Sequence, residues 1–161
     1  LVRLNVRTDG EALMAFEDIQ FATRKLGKSL QGVIVAPMLK AQRELILGAR
    51  WDDRFGAIVI VGDGGKYVEA MPDVATVVYP FDARHLVRKL RGLRMAALWD
   101  GVRGEPPLPL DRLAACAVAL GRWVHGHRGR VASADINPLM AGPGDTLMAV
   151  DALVELGRVP G

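Results

Sequence analysis

Apolar and polar residues alternate over positions 2–7 (Val-Arg-Leu-Asn-Val-Arg), the period-two pattern of a half-buried strand. Thr8 followed by Glu11 has the spacing of a capping box. From there Leu13, Phe16, Ile19 and Ala22 recur at helical spacing as far as Leu26, and Gly27 supplies a stop. Three short apolar runs follow at 32–38, 44–50 and 57–61, the last two separated by the turn residues Asp52-Asp53-Arg54-Phe55-Gly56. Their links are too short for parallel crossovers, so an antiparallel meander is expected. After Gly62-Asp63-Gly64-Gly65, residues 67–69 and 74–79 predict further strands. Asp82 is placed to cap a helix reaching about Leu93, residues 101–109 form a loop rich in Gly and Pro, and Asp111 is placed to cap a second helix, apolar nearly all round, to about Val124. A closing pair of strands, 131–136 and 147–150, is separated by the turn at 141–145. The order predicts an α+β fold: a largely antiparallel sheet backed by helices.

Composition narrows the class. Half of the 161 residues are hydrophobic and 24% are charged, enough to build a sizeable core. No apolar run reaches the roughly 18 residues of a membrane-spanning helix. The single cysteine, Cys116, sits in the run Leu113-Ala114-Ala115-Cys116-Ala117-Val118 and is expected to be buried and inert. One cysteine forms no disulfide framework, and a reducing cytoplasm is the expected setting. The net charge is +3, but the densest basic stretch, Arg84 to Arg94, has no interleaved aromatics for base stacking. It is expected to be a solvated helix face, and a phosphate-bearing small ligand fits the charge as well as a nucleic acid does. The chain opens on Leu1 in a strand pattern, so residues 1–161 are expected to be one subdomain of a larger chain.

Candidate chemistry concentrates near the end of the chain. Alternation along a strand puts Asp135 and Asn137 on one face, and a tight return would bring Asp151 beside them. One neutral oxygen with one or two carboxylates suits Mg²⁺, although Asp and Asn beside turns equally serve turn chemistry. His125-Gly126-His127 falls at a helix end among Arg and Gly residues, where a solvated C-terminus explains it better than a metal site. There is no Gly-x-Ser-x-Gly motif for a serine nucleophile.

Several blocks together resemble the ATP-grasp domain of NDP-forming acyl-CoA synthetases, the family of ADP-forming acetyl-CoA synthetases and succinyl-CoA synthetase β subunits. Asp135-Ile136-Asn137-Pro138-Leu139, followed by Met148-Ala149-Val150-Asp151, is similar to its closing signature. Arg43-Glu44-Leu45-Ile46-Leu47-Gly48 and Asp53-Arg54-Phe55-Gly56 resemble its Glu-Leu-x-x-Gly and Asp-x-x-Phe-Gly patterns. Gly62-Asp63-Gly64-Gly65-Lys66-Tyr67-Val68-Glu69 looks like its Gly-rich turn and acidic strand, and Gly101-Val102-Arg103-Gly104 resembles a Gly-x-Arg-Gly loop.

The resemblance implies an ATP-grasp C-terminal subdomain that binds ATP or ADP with Mg²⁺. Asn137 and Asp151, fourteen residues apart, would hold the metal with Asp135 in support. Gly62, Gly64, Gly65 and Glu69 would face the nucleotide, and Glu44 and Arg103 would serve catalysis. Plainer roles stay open: a hairpin turn for Gly64-Gly65, loop fixing for Arg103, a surface strand position for Glu44. The parent reaction would convert acid, CoA and ATP to acyl-CoA, ADP and phosphate, through an acyl phosphate and a phosphohistidine on another domain. CoA-binding and phosphohistidine domains are therefore expected partners, with no nucleic acid or membrane and with oligomerisation open. This chain departs from the family at Ser133 (often Glu), Ala36 (often Gln) and Lys66 (usually apolar). Two alternatives follow: a degenerate nucleotide-sensing domain as in acetyltransferase-type relatives, or an interaction module that uses the apolar 113–124 helix without catalysis.

Overall fold

The computed structural model describes residues 1–39, 43–65, 73–102, 104–142 and 144–157. They divide into two compact units, 1–40 and 41–161, where the sequence pattern suggests one subdomain.

The first unit is built on helix α1 (Asp9–Lys25). Its capping box forms as expected: Glu11 N–H donates to Thr8 Oγ1 at 3.2 Å, and Thr8 N–H donates to Glu11 Oε2 at 3.1 Å. Leu26 is the C-cap, and Gly27 follows with φ +67°. Of the expected apolar stripe, Ile19 is buried while Leu13 and Phe16 are exposed. Residues 2–7 and 32–38, expected as strands, are not strands in the structure. An extended segment must exchange backbone hydrogen bonds with a neighbour, and no ladder among the described residues includes either segment.

The second unit is a six-stranded sheet. Strands β1 (Arg43–Asp52), β2 (Gly56–Asp63) and β3 (Val74–Val78) form the expected antiparallel meander. Helices α2 (Ala83–Arg91), α3 (Ala96–Trp99) and α4 (Leu110–Gly126) come next, then β4 (Val131–Gly142), β5 (Thr146–Ala149) and β6 (Ala152–Leu156). β4 lies beside β1, and its other edge pairs antiparallel with both β5 and β6. The strand expected at 67–69 lies outside the described residues.

One face of this sheet is apolar and covered by helices. Leu45, Leu47 and Ala49 of β1, Val59 and Val61 of β2, and Val77 of β3 are buried there beneath α2 and α4. α4 contributes Leu110, Leu113, Ala114, Ala117, Gly121 and Val124, the 3–4 spacing of one buried stripe. At its closest approach a Cβ on Gly121 would lie 2.9 Å from Val59 Cγ2 and 3.2 Å from Tyr79 Cδ2. The helix sits so near β2 that this position has no room for a side chain.

Three expectations are corrected here. Cys116 is exposed, because it falls off the buried stripe of α4 even though its neighbours in sequence are apolar. Asp111 does not cap α4. The N-cap is Pro109, whose carbonyl accepts Leu113 N–H at 2.9 Å, so Asp111 lies in the first turn, where its charge suits the helix dipole. The closing pair of strands is a set of three, since β4 runs to Gly142 and β6 follows β5.

The β1–β2 hairpin is tied by Asp52, whose Oδ1 accepts Arg54 N–H at 2.9 Å and Phe55 N–H at 3.0 Å. These two backbone bonds hold its carboxyl below the ordinary value of 3.8. A lowered pKa adds stability above the ordinary carboxylate range, and that stability is lost as pH falls through the folded value. Asp52→Asn should therefore melt a few degrees lower than wild type at pH 7, with the gap closing in acid below the carboxylate range. A gap that stays constant on acidification would contradict this. Gly121→Val should cost about 1–3 kcal/mol by overpacking. An unchanged urea midpoint would show that α4 does not approach β2 so closely.

Candidate functional site

The other face of the sheet is not covered by α2 or α4, and it carries the predicted site. Side chains alternate along a strand, so burial of Leu45, Leu47 and Ala49 sends Glu44, Ile46, Gly48 and Arg50 to the opposite face. There a groove of about 290 Å³ runs over β2, β1 and β4. Ile46, Ile58 and Ile60 form its apolar floor, and Ser133, Asp135 and Asn137 line one side.

The groove takes its shape from an irregularity in β4. Leu45 of β1 pairs with Leu139 and Leu47 with Ile136, so two steps on β1 match three on β4. The extra residue is a bulge at Asn137-Pro138, whose peptide is cis. Proline has no N–H for a ladder, and a bulge is where an inner strand tolerates one. The bulge also inverts the alternation. Asp135 and Asn137 are exposed on the groove side, while Ala134 before the bulge and Leu139 and Ala141 after it are all buried in the core.

On the far edge of β4 the partner strand breaks at the same level. β5 ends opposite Leu139 and β6 begins opposite Ile136. Across the break Asn137 N–H donates to Asp151 O at 3.3 Å, and Val150 N–H donates to Pro138 O at 3.1 Å. Asn137 and Asp151 are thereby neighbours, both exposed. Asp151 Oδ1 accepts Ala152 N–H at 2.8 Å, which orients its carboxylate. Among the described residues no group of three or more His, Cys, Asp or Glu could hold a metal. The Asn137 amide and the neighbouring Asp151 carboxylate, with Asp135 two residues before Asn137 on β4, are a partial oxygen set, the kind that suits Mg²⁺ completed by water and phosphate.

Asp135 pairs with Gly48, and a Cβ at position 48 would lie 2.5 Å from Asp135 Oδ1. The glycine makes the seat in which the carboxylate lies across β1. Gly48 was not among the candidates, although an isolated glycine within an apolar strand signals such a close approach. Arg50 pairs with Ser133, and Ser133 Oγ donates to Glu155 Oε2 on β6 at 2.9 Å. Nothing in the local sequence links residues 133 and 155.

The predicted glycines divide by role. Gly62 is inside β2, between Ile46 and Val74, and a Cβ there would lie 2.6 Å from Asp73 O. Close strand packing therefore accounts for it. Gly64 N–H donates to Glu44 O at 2.7 Å, and Gly65, at φ +85°, lies against the Glu44 carboxylate. Glu44, Gly64 and Gly65 are thus together, two residues along β1 from Ile46, which faces the bulge. Asp53 accepts Trp51 Nε1–H at 3.0 Å in the hairpin at the other end of β1, so it serves the turn. His125 packs between Trp51 and Tyr79, and His127 against Trp123. Glu69 and Arg103 lie outside the described residues.

The profile of the ATP-grasp domain family matches residues 1–156. A trans-feruloyl-CoA synthase from an unknown prokaryotic organism is 34% identical over 160 residues, which are 98% of this chain and 22% of that protein. The beta subunit of ADP-forming acetate–CoA ligase I of Pyrococcus furiosus is 35% identical over 153 residues, 94% of this chain and 65% of the subunit. A structure of the dinucleotide forming acetyl-coenzyme A synthetase 1 of Ca. Korarchaeum cryptofilum was solved with coenzyme A and Mg-AMPPCP, its phosphohistidine segment pointing towards the nucleotide binding site. It aligns with a TM-score of 0.75 at 26% identity, over 96% of this chain and 67% of that one. This chain thus spans about a fifth of the length of the synthase and about two thirds of the beta subunit. With the profile extending over both units and the relatives agreeing with it, the chain belongs to the ATP-grasp domain family.

Proposed function

We propose that this chain is the metal- and nucleotide-binding part of an ADP-forming acyl-CoA synthetase. The observation that carries the reading is the bulge of β4 facing the break between β5 and β6, which brings Asn137 and Asp151 together beside the groove. Asn137 and Asp151 would hold Mg²⁺, which when bound neutralises charge on the transferring phosphate oxygens. Asp135, seated on Gly48, supports them as an oriented acceptor. The apolar floor of Ile46, Ile58 and Ile60 excludes water beneath the nucleotide. Glu44, Gly64 and Gly65 stand at the end of the site, where the absence of glycine side chains lets a phosphate approach the backbone. Gly62 contributes by letting β3 close on β2. Glu69 is assigned to the nucleotide and Arg103 to phosphate on the resemblance alone.

The parent reaction is acid, CoA and ATP to acyl-CoA, ADP and phosphate, with the phosphoryl group carried by a histidine on another domain. Solved relatives with coenzyme A and nucleotide analogues, and one with a phosphohistidine segment directed at the nucleotide, support that division of labour. A cytoplasmic setting agrees with one exposed free cysteine and with the absence, among the described residues, of any helix able to cross a membrane.

Calorimetric titration with MgATP tests this. Wild type should bind saturably, and Asn137→Ala/Asp151→Ala should lose binding; a double variant that binds as tightly as wild type would remove both residues from the site. Gly48→Ala should push the Asp135 carboxylate aside and weaken binding about tenfold, the usual scale for loss of a supporting partner. Unchanged affinity would show that Asp135 plays no part.

A further inference from the structure

Three charged side chains meet on the covered face of the sheet, at the end where Glu44 and Gly64 close the ladder. Arg43 Nη1 lies 3.5 Å from Asp63 Oδ1, and Arg43 Nη2 lies 3.8 Å from Glu105 Oε2. The Arg43 and Asp63 side chains are 17% and 21% exposed and that of Glu105 is 48% exposed. Asp63 Oδ1 is buried with no hydrogen bond among the described residues, so Arg43 supplies its compensating charge. Glu105 belongs to a tight turn, in which its N–H donates to Val102 O at 3.0 Å. Gly101 packs against Glu105 O so closely that a Cβ would lie 2.4 Å from it.

We propose that Arg43 is a positioning residue, whose guanidinium, shared by Asp63 and Glu105, couples residues 62–65 to the 101–105 turn. The physical reason is asymmetry. An exposed ion pair by itself is worth little, whereas a largely buried carboxylate deprived of its partner must move toward water. Asp63 is followed directly by Gly64, which is hydrogen-bonded to the residue after Arg43. A shift of Asp63 therefore disturbs the backbone that holds Glu44 and Gly65. Arginine suits the task because its planar fork can serve two carboxylates at once, which a lysine point charge does not. The consequence for nucleotide rests on the function proposed above, because Glu44, Gly64 and Gly65 belong to that site.

Hydrogen exchange on the 161-residue chain without nucleotide reads the coupling directly. Arg43→Gln should speed exchange in both 62–65 and 101–105 by roughly fivefold or more, with the β4–β6 ladder unchanged. Glu105→Gln, which leaves Arg43 and Asp63 in place, should still speed exchange at 62–65. The double variant should go no further than Arg43→Gln, and Arg43→Lys, which keeps a charge beside Asp63 but cannot hold both carboxylates, should bring 62–65 back only to the Glu105→Gln level while 101–105 stays fast. Confinement of the Glu105→Gln effect to its own turn, additive effects in the double variant, or equal acceleration everywhere would overturn the proposal. Because no nucleotide is present, failure here is separate from failure of MgATP binding.

Discussion

An inner strand must satisfy neighbours on both edges, and β4 does so around one extra residue. The bulge at Asn137-Pro138 breaks register with β1, and on the other edge it faces the step from β5 to β6. Each irregularity makes room for the other, and two backbone hydrogen bonds across the break keep the sheet continuous. The same step reverses which residues of β4 face inward. It thereby frees Asp135 and Asn137 for the groove while keeping Leu139 and Ala141 in the core. Position and packing of the candidate metal residues are consequences of one local change in strand count.

The rest of the second unit supports that arrangement by making one sheet face rigid and leaving the other to chemistry. α4 lies against β2 at Gly121, and α2 fills the space above β3 with Leu86 and Leu90. Close packing of this kind transmits position well, so a groove backed by such a core holds its shape. Glycine recurs wherever two backbones or a backbone and a carboxylate come too near for a side chain. Gly48, Gly62 and Gly64 are all of this kind, each against a different partner. Gly65 and Gly101, at positive φ, are required by their own conformation as well.

Charge is arranged differently on the two faces. Asp135 and Asn137 line the groove and Asp151, beside Asn137, is exposed, as the proposed site for a cation and a phosphate requires. On the helix side, Arg43 and Asp63 are largely shielded and, with the half-exposed Glu105, tie chain segments together. The first group lies beside the middle of β1 and the second at its start, on opposite faces of the sheet, so neighbours in sequence such as Arg43 and Glu44 serve different ends.

Much of this protein was legible along the chain. The capping box at Thr8, the meander of β1 to β3, the caps of α1 and α2 and the Asp135-Asn137 face are local matters of spacing and side-chain chemistry, which sequence records directly. The motifs from Glu44 to Asp151 were likewise sufficient to indicate the ATP-grasp family, and the family profile bears that out. What sequence could not supply was pairing. Residues 2–7 and 32–38 have strand patterns but no ladder, because a strand exists through its neighbour and not through its own alternation. Cys116 sits among apolar residues and is exposed, since burial depends on which stripe of α4 meets the sheet. β6, the seat of Asp135 on Gly48 and the link from Ser133 to Glu155 join positions far apart in the chain. Local residues determined which elements form and which chemistry they carry; the tertiary structure decided which faces meet, because long-range register follows from packing the whole sheet at once.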